Sequence, residues 1–293
     1  MDRKLSFAVL GGDMRQARLA ALLADDGHNV RAYALDKCAL SPNVARGYNI
    51  SELAKRCDCL ILPIPVLSGE WLINTPLSVD SHSVNDLFSL LPTGQTVIAG
   101  KVDNALFEKA GRSGIRLYDY LEREEFTVMN SIPTAEGAIE LAMQKLPKTL
   151  HGAKCLVIGY GHIGKLLAYY LRGLGAEVTA SARRYGDFAW ISAYGFTSVP
   201  TQKISDILGA FDVIFNTVPA MILDADCLSE LKPDCLCIDL ASKPGGIDMQ
   251  AAKRLGINVE WALSLPGKVA PDSAATAMRD TIYNILDEWG IDE

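Results

Sequence analysis

The sequence predicts an α/β protein of two tandem domains, each built on a doubly wound parallel sheet. Short apolar runs alternate with segments of helical periodicity along the chain, which is the pattern of parallel strands joined by crossover helices. A glycine-rich turn follows the first apolar run of each half, at Gly11 and at Gly159. The chain has 293 residues, 49% of them hydrophobic, which is enough for two domain cores.

The first half alternates predicted strands and helices. Residues 5–10 form an apolar run, the turn Gly11-Gly12-Asp13 follows, and residues 14–26 have the spacing of a helix that ends near Gly27. Later apolar runs predict further strands at residues 30–35, 60–65, 96–99 and 115–118.

The second half repeats this order of segments. The pairs that correspond, at similar offsets, begin at Gly11 and Gly159, Asp58 and Asp212, Leu91 and Leu231, and Gly114 and Gly256. Two related Rossmann-like domains are therefore predicted, at residues 1–129 and 151–271.

Two helices are predicted outside the repeat. Ser131, Pro133 and Thr134 are typical of a helix start, so a linker helix is expected within residues 130–150, ending before Pro147. Asp272 begins a segment with the pattern of a capped helix, and this C-terminal helix, at residues 272–293, is expected to pack back across the domain junction.

The glycine loop of the second half has the order that a dinucleotide site needs. It reads Gly-Tyr-Gly-His-Ile-Gly over residues 159–164, after an apolar run and before a helical one. Gly159 permits the tight turn, Gly161 lets the backbone approach a pyrophosphate, and Gly164 lets the helix pack on the strand. The predicted phosphate-binding residues are Gly159, Tyr160, Gly161, His162, Ile163 and Gly164.

The next strand indicates which dinucleotide is bound. Ser181 stands where NAD enzymes usually carry an acidic residue, and Arg183 and Arg184 follow it. No carboxylate is present to accept from a ribose 2′-hydroxyl, whereas a hydroxyl and guanidinium groups suit a 2′-phosphate. NADP(H) is therefore the preferred cofactor and NAD(H) the possible one; the alternative is that both arginines belong to a solvated loop.

The first glycine turn is a degraded version of the second. It lacks the third glycine, and Asp13 places negative charge where a pyrophosphate would approach, although Asp36 could mimic the ribose-binding acid. Substrate binding and catalysis are the roles expected of this half.

Composition excludes several other functions. The net charge is −7 with no long basic stretch, which argues against nucleic acid or anionic membrane as a partner, and no apolar run is long enough to span a bilayer. A cytoplasmic protein is expected. The pairs Cys57/Cys59 and Cys235/Cys237 lack the spacing of a metal site, so buried thiols and no metal are expected.

With these motifs placed, the chain resembles the A subunits of dipicolinate synthase from spore-forming bacteria over nearly its whole length. The segments that carry the resemblance are residues 11–16, 119–124, 130–138, 159–164, 215–219, 238–246 and 265–271. The runs from Pro133 and from Pro266 separate this family from generic 2-hydroxyacid or alanine dehydrogenases. Position 162 is often Arg in such loops, whereas this chain has His162.

The resemblance implies a reaction, a partner and a location. The reaction is the oxidation of 4-hydroxy-tetrahydrodipicolinate, a small cyclic dicarboxylate, to dipicolinate with NAD(P)+ and loss of water. The partner is a flavoprotein-like B subunit, and the location is the mother-cell cytosol during sporulation. A homodimer or a hetero-oligomer is expected by analogy with two-domain dehydrogenases.

Candidate site residues lie at the predicted carboxyl ends of strands, where open α/β sheets bind ligands. Thr217, Pro219 and Ser242 are expected to line the cofactor. Arg15 is the first choice for a substrate carboxylate, because arginine pairs with carboxylates bidentately. Thr134, in the first of the two family-specific runs, is the second predicted substrate-binding residue.

Several residues are predicted to have catalytic roles, without one assignment of the base. Lys101, Asp119 and Lys268 are the candidates, and Tyr120 is a further possible base because it ends the same segment as Asp119. No histidine forms a readable dyad with a carboxylate. The alternatives that stay open are a 2-hydroxyacid or amino-acid dehydrogenase of the same plan, and a non-catalytic NADP-binding regulatory subunit.

Overall fold

The computed structural model describes residues 3–54 and 57–290. The chain divides into two compact units, one formed by residues 1–130 with 266–293 and the other by residues 131–265. Within the described ranges, no helix is both long enough and apolar enough to cross a membrane.

The first unit is built on a six-stranded parallel sheet. Its strands are β1 (Ser6–Leu10), β2 (Asn29–Tyr33), β3 (Ala45–Arg46), β4 (Cys59–Ile61), β5 (Thr96–Ala99) and β6 (Arg116–Asp119), in the order β3-β2-β1-β4-β5-β6. Its helices are α1 (Met14–Asp25), α2 (Ile50–Ala54), α3 (Val84–Leu90) and α4 (Asn104–Arg112). A 3-10 turn, Tyr120–Glu122, follows β6.

The core of the first unit includes residues from the far end of the chain. The helix Pro271–Glu288 buries Met278, Ile282 and Leu286 in the same apolar cluster as Leu19 and Leu23 of α1. The C-terminal helix therefore belongs to the core of the first unit, and residues 291–293 of the predicted range lie outside the described residues.

The long helix Glu124–Lys145 corrects one prediction. It begins nine residues before Pro133 rather than at it, and the boundary between the units falls inside it. A proline inside a helix removes one hydrogen bond and costs about 3 kcal/mol. Full burial of Ala135, Ala138 and Ala142 on the following turns offsets that cost, so the helix passes through. Numbered in chain order, it is α5.

The second unit repeats the topology of the first. Its strands are β7 (Lys154–Ile158), β8 (Glu177–Ala182), β9 (Thr197–Pro200), β10 (Val213–Asn216), β11 (Leu236–Asp239) and β12 (Asn258–Trp261), in the order β12-β11-β10-β7-β8-β9. The helices are α6 (His162–Gly173), α7 (Tyr185–Ala193), α8 (Ala225–Ser229) and α9 (Met249–Leu255), and a 3-10 helix spans Thr201–Ala210. The short helix Leu265–Val269 is α10 and the C-terminal helix is α11. Two Rossmann-like sheets are thus confirmed.

Asp212 ties together the starts of two strands in the second unit. Its carboxylate accepts hydrogen bonds from the backbone N–H of Lys154 (2.9 Å) and from the Nζ atoms of Lys148 (2.7 Å) and Lys232 (3.1 Å). Burial alone would raise the pKa of Asp212, but these three donors lower it to about 2. Because the folded pKa lies below the unfolded one, this group stabilises the fold above about pH 4.

Replacing Asp212 with Asn is expected to lower the free energy of unfolding by roughly 2 kcal/mol at pH 7. The deficit should shrink as pH falls from 4 towards 2, where the native carboxylate becomes protonated. Urea unfolding of both proteins across this range measures it. A deficit independent of pH would show that the loss is one of packing rather than of charge.

Candidate functional site

The turn between β7 and α6 combines a left-handed glycine, Gly159, with an exposed N-cap glycine, Gly161. Gly159 has φ +93°, and a Cβ there would overlap the Thr217 hydroxyl and lie 2.9 Å from the Val218 side chain. Gly161 is the N-cap of α6 with φ −79°, and a Cβ on it would meet no atom within 4 Å. The backbone at Gly161 therefore borders open space at a helix N-terminus, which fits a pyrophosphate.

Gly164 has a different role, in packing. A Cβ at this position would overlap the carbonyl oxygen of Gly159, so the first turn of α6 approaches the strand end as only glycine allows. Of the remaining loop residues, Tyr160 is buried, Ile163 is half-buried, and His162 is exposed as the first residue of α6. Gly159 and Gly164 thus have the turn and packing roles that the motif predicts, and the pyrophosphate contact at Gly161 stays a prediction.

The end of β10 borders the glycine turn. The Thr217 hydroxyl donates to the carbonyl of Ile158, the last residue of β7, at 2.9 Å. Pro219 and Ser242 are exposed in the loops after β10 and β11. These three residues lie at the carboxyl edge of the sheet, on the β10 side of the point between β7 and β10 where the strand order reverses.

Two buried residues that sequence reasoning missed hold these loops. The Asp239 carboxylate is 1% exposed and accepts from Asn216 Nδ2 (2.8 Å) and from the N–H groups of Ala241 (3.1 Å) and Gly246 (2.8 Å). Asn216 also donates to the carbonyl of Val218 at 3.0 Å. The signal in the sequence was an acid and an amide, each ending an apolar run before a loop with Pro or Gly.

The position of Ser181 corrects the expected 2′-phosphate contact. Its side chain is fully buried and its hydroxyl lies 3.2 Å from that of Thr201. Because Ser181 and both of its neighbours in β8 are buried, its hydroxyl does not belong to a ligand-facing surface. Arg183 and Arg184 are exposed directly after β8, and Ala182 ends the strand without a carboxylate.

In the first unit, side chains fill the region that corresponds to the open space beside Gly161 in the second unit. Arg15 is 3% exposed; its Nε and Nη2 lie 2.9 and 2.7 Å from the Asp13 carboxylate, and Nη2 also donates to the Ile64 carbonyl at 3.0 Å. Gln16 is fully buried and donates to the Leu62 carbonyl at 2.8 Å. These carbonyls follow β4, so both side chains occupy the point where the strand order reverses.

The assignment of Arg15 to a substrate carboxylate is therefore corrected. Its guanidinium is buried and already pairs with a carboxylate of its own turn, because Asp13 two residues earlier caps α1 and faces it. The same packing explains why the first turn lacks the features of a dinucleotide site.

The catalytic candidates after β5 and β6 differ in their exposure to solvent. Lys101 is exposed, whereas Asp119 is 9% exposed and accepts backbone hydrogen bonds from Lys101 (3.1 Å), Val102 (2.6 Å) and Leu121 (2.7 Å). Burial raises the pKa of Asp119, and these bonds oppose the shift. Tyr120 is fully buried and donates to the Leu62 carbonyl at 3.4 Å. Neither Asp119 nor Tyr120 presents a free base, which corrects those two expectations.

The remaining predicted residues lie in different settings. Lys268 is exposed in α10, beside Gly267, whose backbone packs on the Asp13 carboxylate so closely that a Cβ would lie 2.7 Å from it. Thr134 is buried within α5, 8% exposed. His28 accepts from the Leu5 N–H near the amino ends of the strands of the first unit, away from the edge that carries the turn at Gly11.

The cysteine pairs are part of the apolar cores. Cys59, Cys235 and Cys237 are buried, and Cys57 is half-buried. Burial raises the pKa of Cys57 to about 12 and that of Cys59 well above its usual value. Such thiols are protonated and inert at neutral pH.

The chain matches known proteins along both units. Residues 6–121 match the N-terminal domain of the dipicolinate synthase A subunit, and residues 130–247 match the NAD binding domain of D-isomer specific 2-hydroxyacid dehydrogenases. The dipicolinate synthase A subunit of Bacillus subtilis (strain 168) is 32% identical over 292 residues, which cover 99% of this chain and 98% of that protein. The chain belongs to the family of dipicolinate synthase A subunits.

Two solved structures of the family agree with this fold. The crystal structure of the dipicolinate synthase A subunit from Bacillus halodurans superposes with a TM-score of 0.87 at 30% identity, covering 96% of this chain and 97% of that one. The corresponding structure from Bacillus subtilis gives a TM-score of 0.87 at 31% identity, covering 100% and 99%. The resemblance noted from the sequence is confirmed. The second unit is a nicotinamide-cofactor domain, and the protein is an NAD(P)-dependent oxidoreductase.

Proposed function

We propose that the protein is the dehydrogenase subunit that converts 4-hydroxy-tetrahydrodipicolinate to dipicolinate with NADP+. The substrate loses one water, one hydride and one proton, and its ring becomes aromatic. When bound, the nicotinamide accepts the hydride. The observation that carries the proposal is the open glycine turn at Gly161, in a chain that matches the A-subunit family over nearly all of its length.

The residues of the second unit fit the cofactor. The turn at Gly161 leaves space that a Cβ would fill, and the N-terminus of α6 provides N–H groups for the pyrophosphate. Thr217, Pro219 and Ser242 line the nicotinamide side, at the carboxyl ends of β10 and β11. Arg183 and Arg184 receive the 2′-phosphate, because they are exposed after β8 and that strand ends without a carboxylate.

The double substitution Arg183→Ala with Arg184→Ala is expected to weaken NADPH binding by roughly 30-fold, the size of one or two lost charge-assisted hydrogen bonds. NADH lacks the 2′-phosphate, so its affinity should change little. Fluorescence titration of both nucleotides measures the ratio, and Lys203→Ala, which removes an exposed cation from the Thr201–Ala210 helix, is a control. Equal loss for both nucleotides would argue against a 2′-phosphate contact.

The substrate is a dianion and needs cations on an acidic protein. Lys101 and Lys268 are the exposed lysines among the predicted residues of the first unit. We assign to them the binding of the two substrate carboxylates. Arg15 is not part of this set because Asp13 neutralises it. Aromaticity of the product drives the loss of water, so this step needs no dedicated base.

The proposed partner is the flavoprotein-like B subunit, and the proposed location is the mother-cell cytosol of a sporulating bacterium. A homodimer is the proposed state of this chain without its partner. Light scattering after size exclusion, with and without the B subunit, measures both associations.

The decisive assay incubates the purified chain with 4-hydroxy-tetrahydrodipicolinate and NADP+, with and without the B subunit. Dipicolinate is detected by its ultraviolet absorption, and NADPH is quantified in parallel. One NADPH per dipicolinate is expected from the isolated chain. Turnover only with the B subunit present would indicate a regulatory role instead, and no turnover in either case would overturn the proposal.

A further inference from the structure

The backbone of Lys101 is held in a left-handed conformation, with φ +61°. Side chains with a Cβ rarely adopt this region, which glycine occupies without strain. Lys101 directly follows β5 and Gly100, at the carboxyl edge of the sheet. Gly100 is closely packed, since a Cβ there would lie 2.6 Å from the Tyr120 ring and 2.7 Å from Ile64. The left-handed residue therefore directly follows a tightly packed glycine.

The Asp119 carboxylate fixes this strained turn. One oxygen accepts from the N–H groups of Lys101 (3.1 Å) and Leu121 (2.7 Å), and the other accepts from Val102 N–H at 2.6 Å. One buried side chain thus joins the loops that follow β5 and β6. A carboxylate is required for this, because both of its oxygens accept hydrogen bonds.

We infer that Asp119 is a positioning residue, which holds the backbone of Lys101 left-handed so that the Lys101 ammonium meets a carboxylate of the substrate. The part of the inference that concerns the substrate rests on the proposed function. The part that concerns the backbone conformation of Lys101 does not. The left-handed conformation costs free energy and gives no advantage to a lysine that only contacts solvent. Backbone strain that surrounding groups hold in place, as the buried Asp119 carboxylate does here, is typical of residues that contact ligands.

A kinetic double-mutant cycle tests the link between the two residues. Lys101→Met is expected to raise the substrate KM roughly 30-fold, as for a lost charge-assisted bond, with kcat and NADPH affinity little changed. Asp119→Asn should raise KM roughly 10-fold in the wild type and have no further effect on Lys101→Met. Lys101→Arg should recover part of the affinity, and Lys253→Met, an exposed lysine of α9, should change nothing.

A general base at position 119 predicts the opposite pattern. Asp119→Asn would then lower kcat, remove one limb of the pH profile of kcat, and keep its full effect in the Lys101→Met protein. Either that pattern or losses that multiply in the double variant would overturn the inference.

Thermal unfolding tests the backbone part without any substrate. Lys101→Gly and Lys101→Ala both lack the ammonium, but only glycine relieves the left-handed strain, so the glycine variant should melt at the higher temperature. That difference should shrink in the Asp119→Asn background, where the turn is free to relax. Equal melting temperatures of the glycine and alanine variants would overturn the positioning role, whereas absent turnover by the wild type would overturn only the proposed function.

Discussion

Gly164→Ala is expected to abolish tight NADPH binding and to destabilise the second unit. The added Cβ would overlap the carbonyl oxygen of Gly159, which is backbone and has no flexible end to move aside. Forcing α6 away from β7 should lower the free energy of unfolding by about 3 kcal/mol. A displacement of the turn by about 1 Å should lower NADPH affinity roughly 100-fold. Urea unfolding and fluorescence titration measure the two losses.

Two other glycines of the same helix and turn provide matched controls. Gly161→Ala meets open space, so the protein should fold normally and yet bind NADPH weakly, because the methyl group enters the phosphate region. Gly173→Ala, exposed in α6, should leave binding intact and stability equal or slightly raised. If Gly161→Ala bound NADPH as tightly as the wild type, the pyrophosphate would lie elsewhere.

Arg15→Met should destabilise the first unit by about 3 kcal/mol, the usual result of removing one partner of a largely buried ion pair. The substitution leaves the Asp13 carboxylate without its counter-ion and the Ile64 carbonyl without its donor. NADPH affinity should stay unchanged. Denaturant unfolding measures the effect, and the added substitution Asp13→Asn should recover part of the loss.

The matched control is one turn further along α1. Arg18 pairs with Asp272 at 2.9 Å, but their side chains are 52% and 77% exposed, so Arg18→Met should cost under about 1 kcal/mol. An unchanged unfolding free energy for Arg15→Met, together with a raised substrate KM, would restore the substrate role first predicted for Arg15.

The fold was accessible from the sequence because both of its signals are local. Apolar runs flanked by turns located the strands, and β5 has the bounds that the sequence predicts. The glycine loop was equally accessible, because its spacing of glycines between an apolar run and a helical segment is a local pattern. The two-residue β3 and the exposed β9 were missed because neither has an apolar run. The extension of α5 through Pro133 was missed because burial outweighs a local helix-breaking signal.

The partners of polar side chains could not be predicted in the same way. Arg15 and Asp119 stand at strand ends or turns, as binding residues do, but some of the groups that they contact follow other strands: the Ile64 carbonyl for Arg15 and the Val102 N–H for Asp119. Ser181 is buried although Arg183, two residues later, is exposed, and the sequence alone does not show where along β8 burial ends. The sequence therefore predicts which residues lie at the carboxyl edge of the sheet. Contacts between distant segments determine which of those residues are exposed to a ligand.

The chain leaves the ribosome in an order that does not match the order of its units. The first unit needs α11, which follows the whole second unit in the sequence, to complete its core, whereas the second unit is one continuous stretch. Synthesis usually lets the N-terminal domain fold first. Here the nascent first unit exposes the apolar face of α1 until α11 has been made, so the cofactor domain is the one able to fold early. A nascent or truncated chain that lacks α11 is therefore the form most exposed to aggregation and to proteolysis.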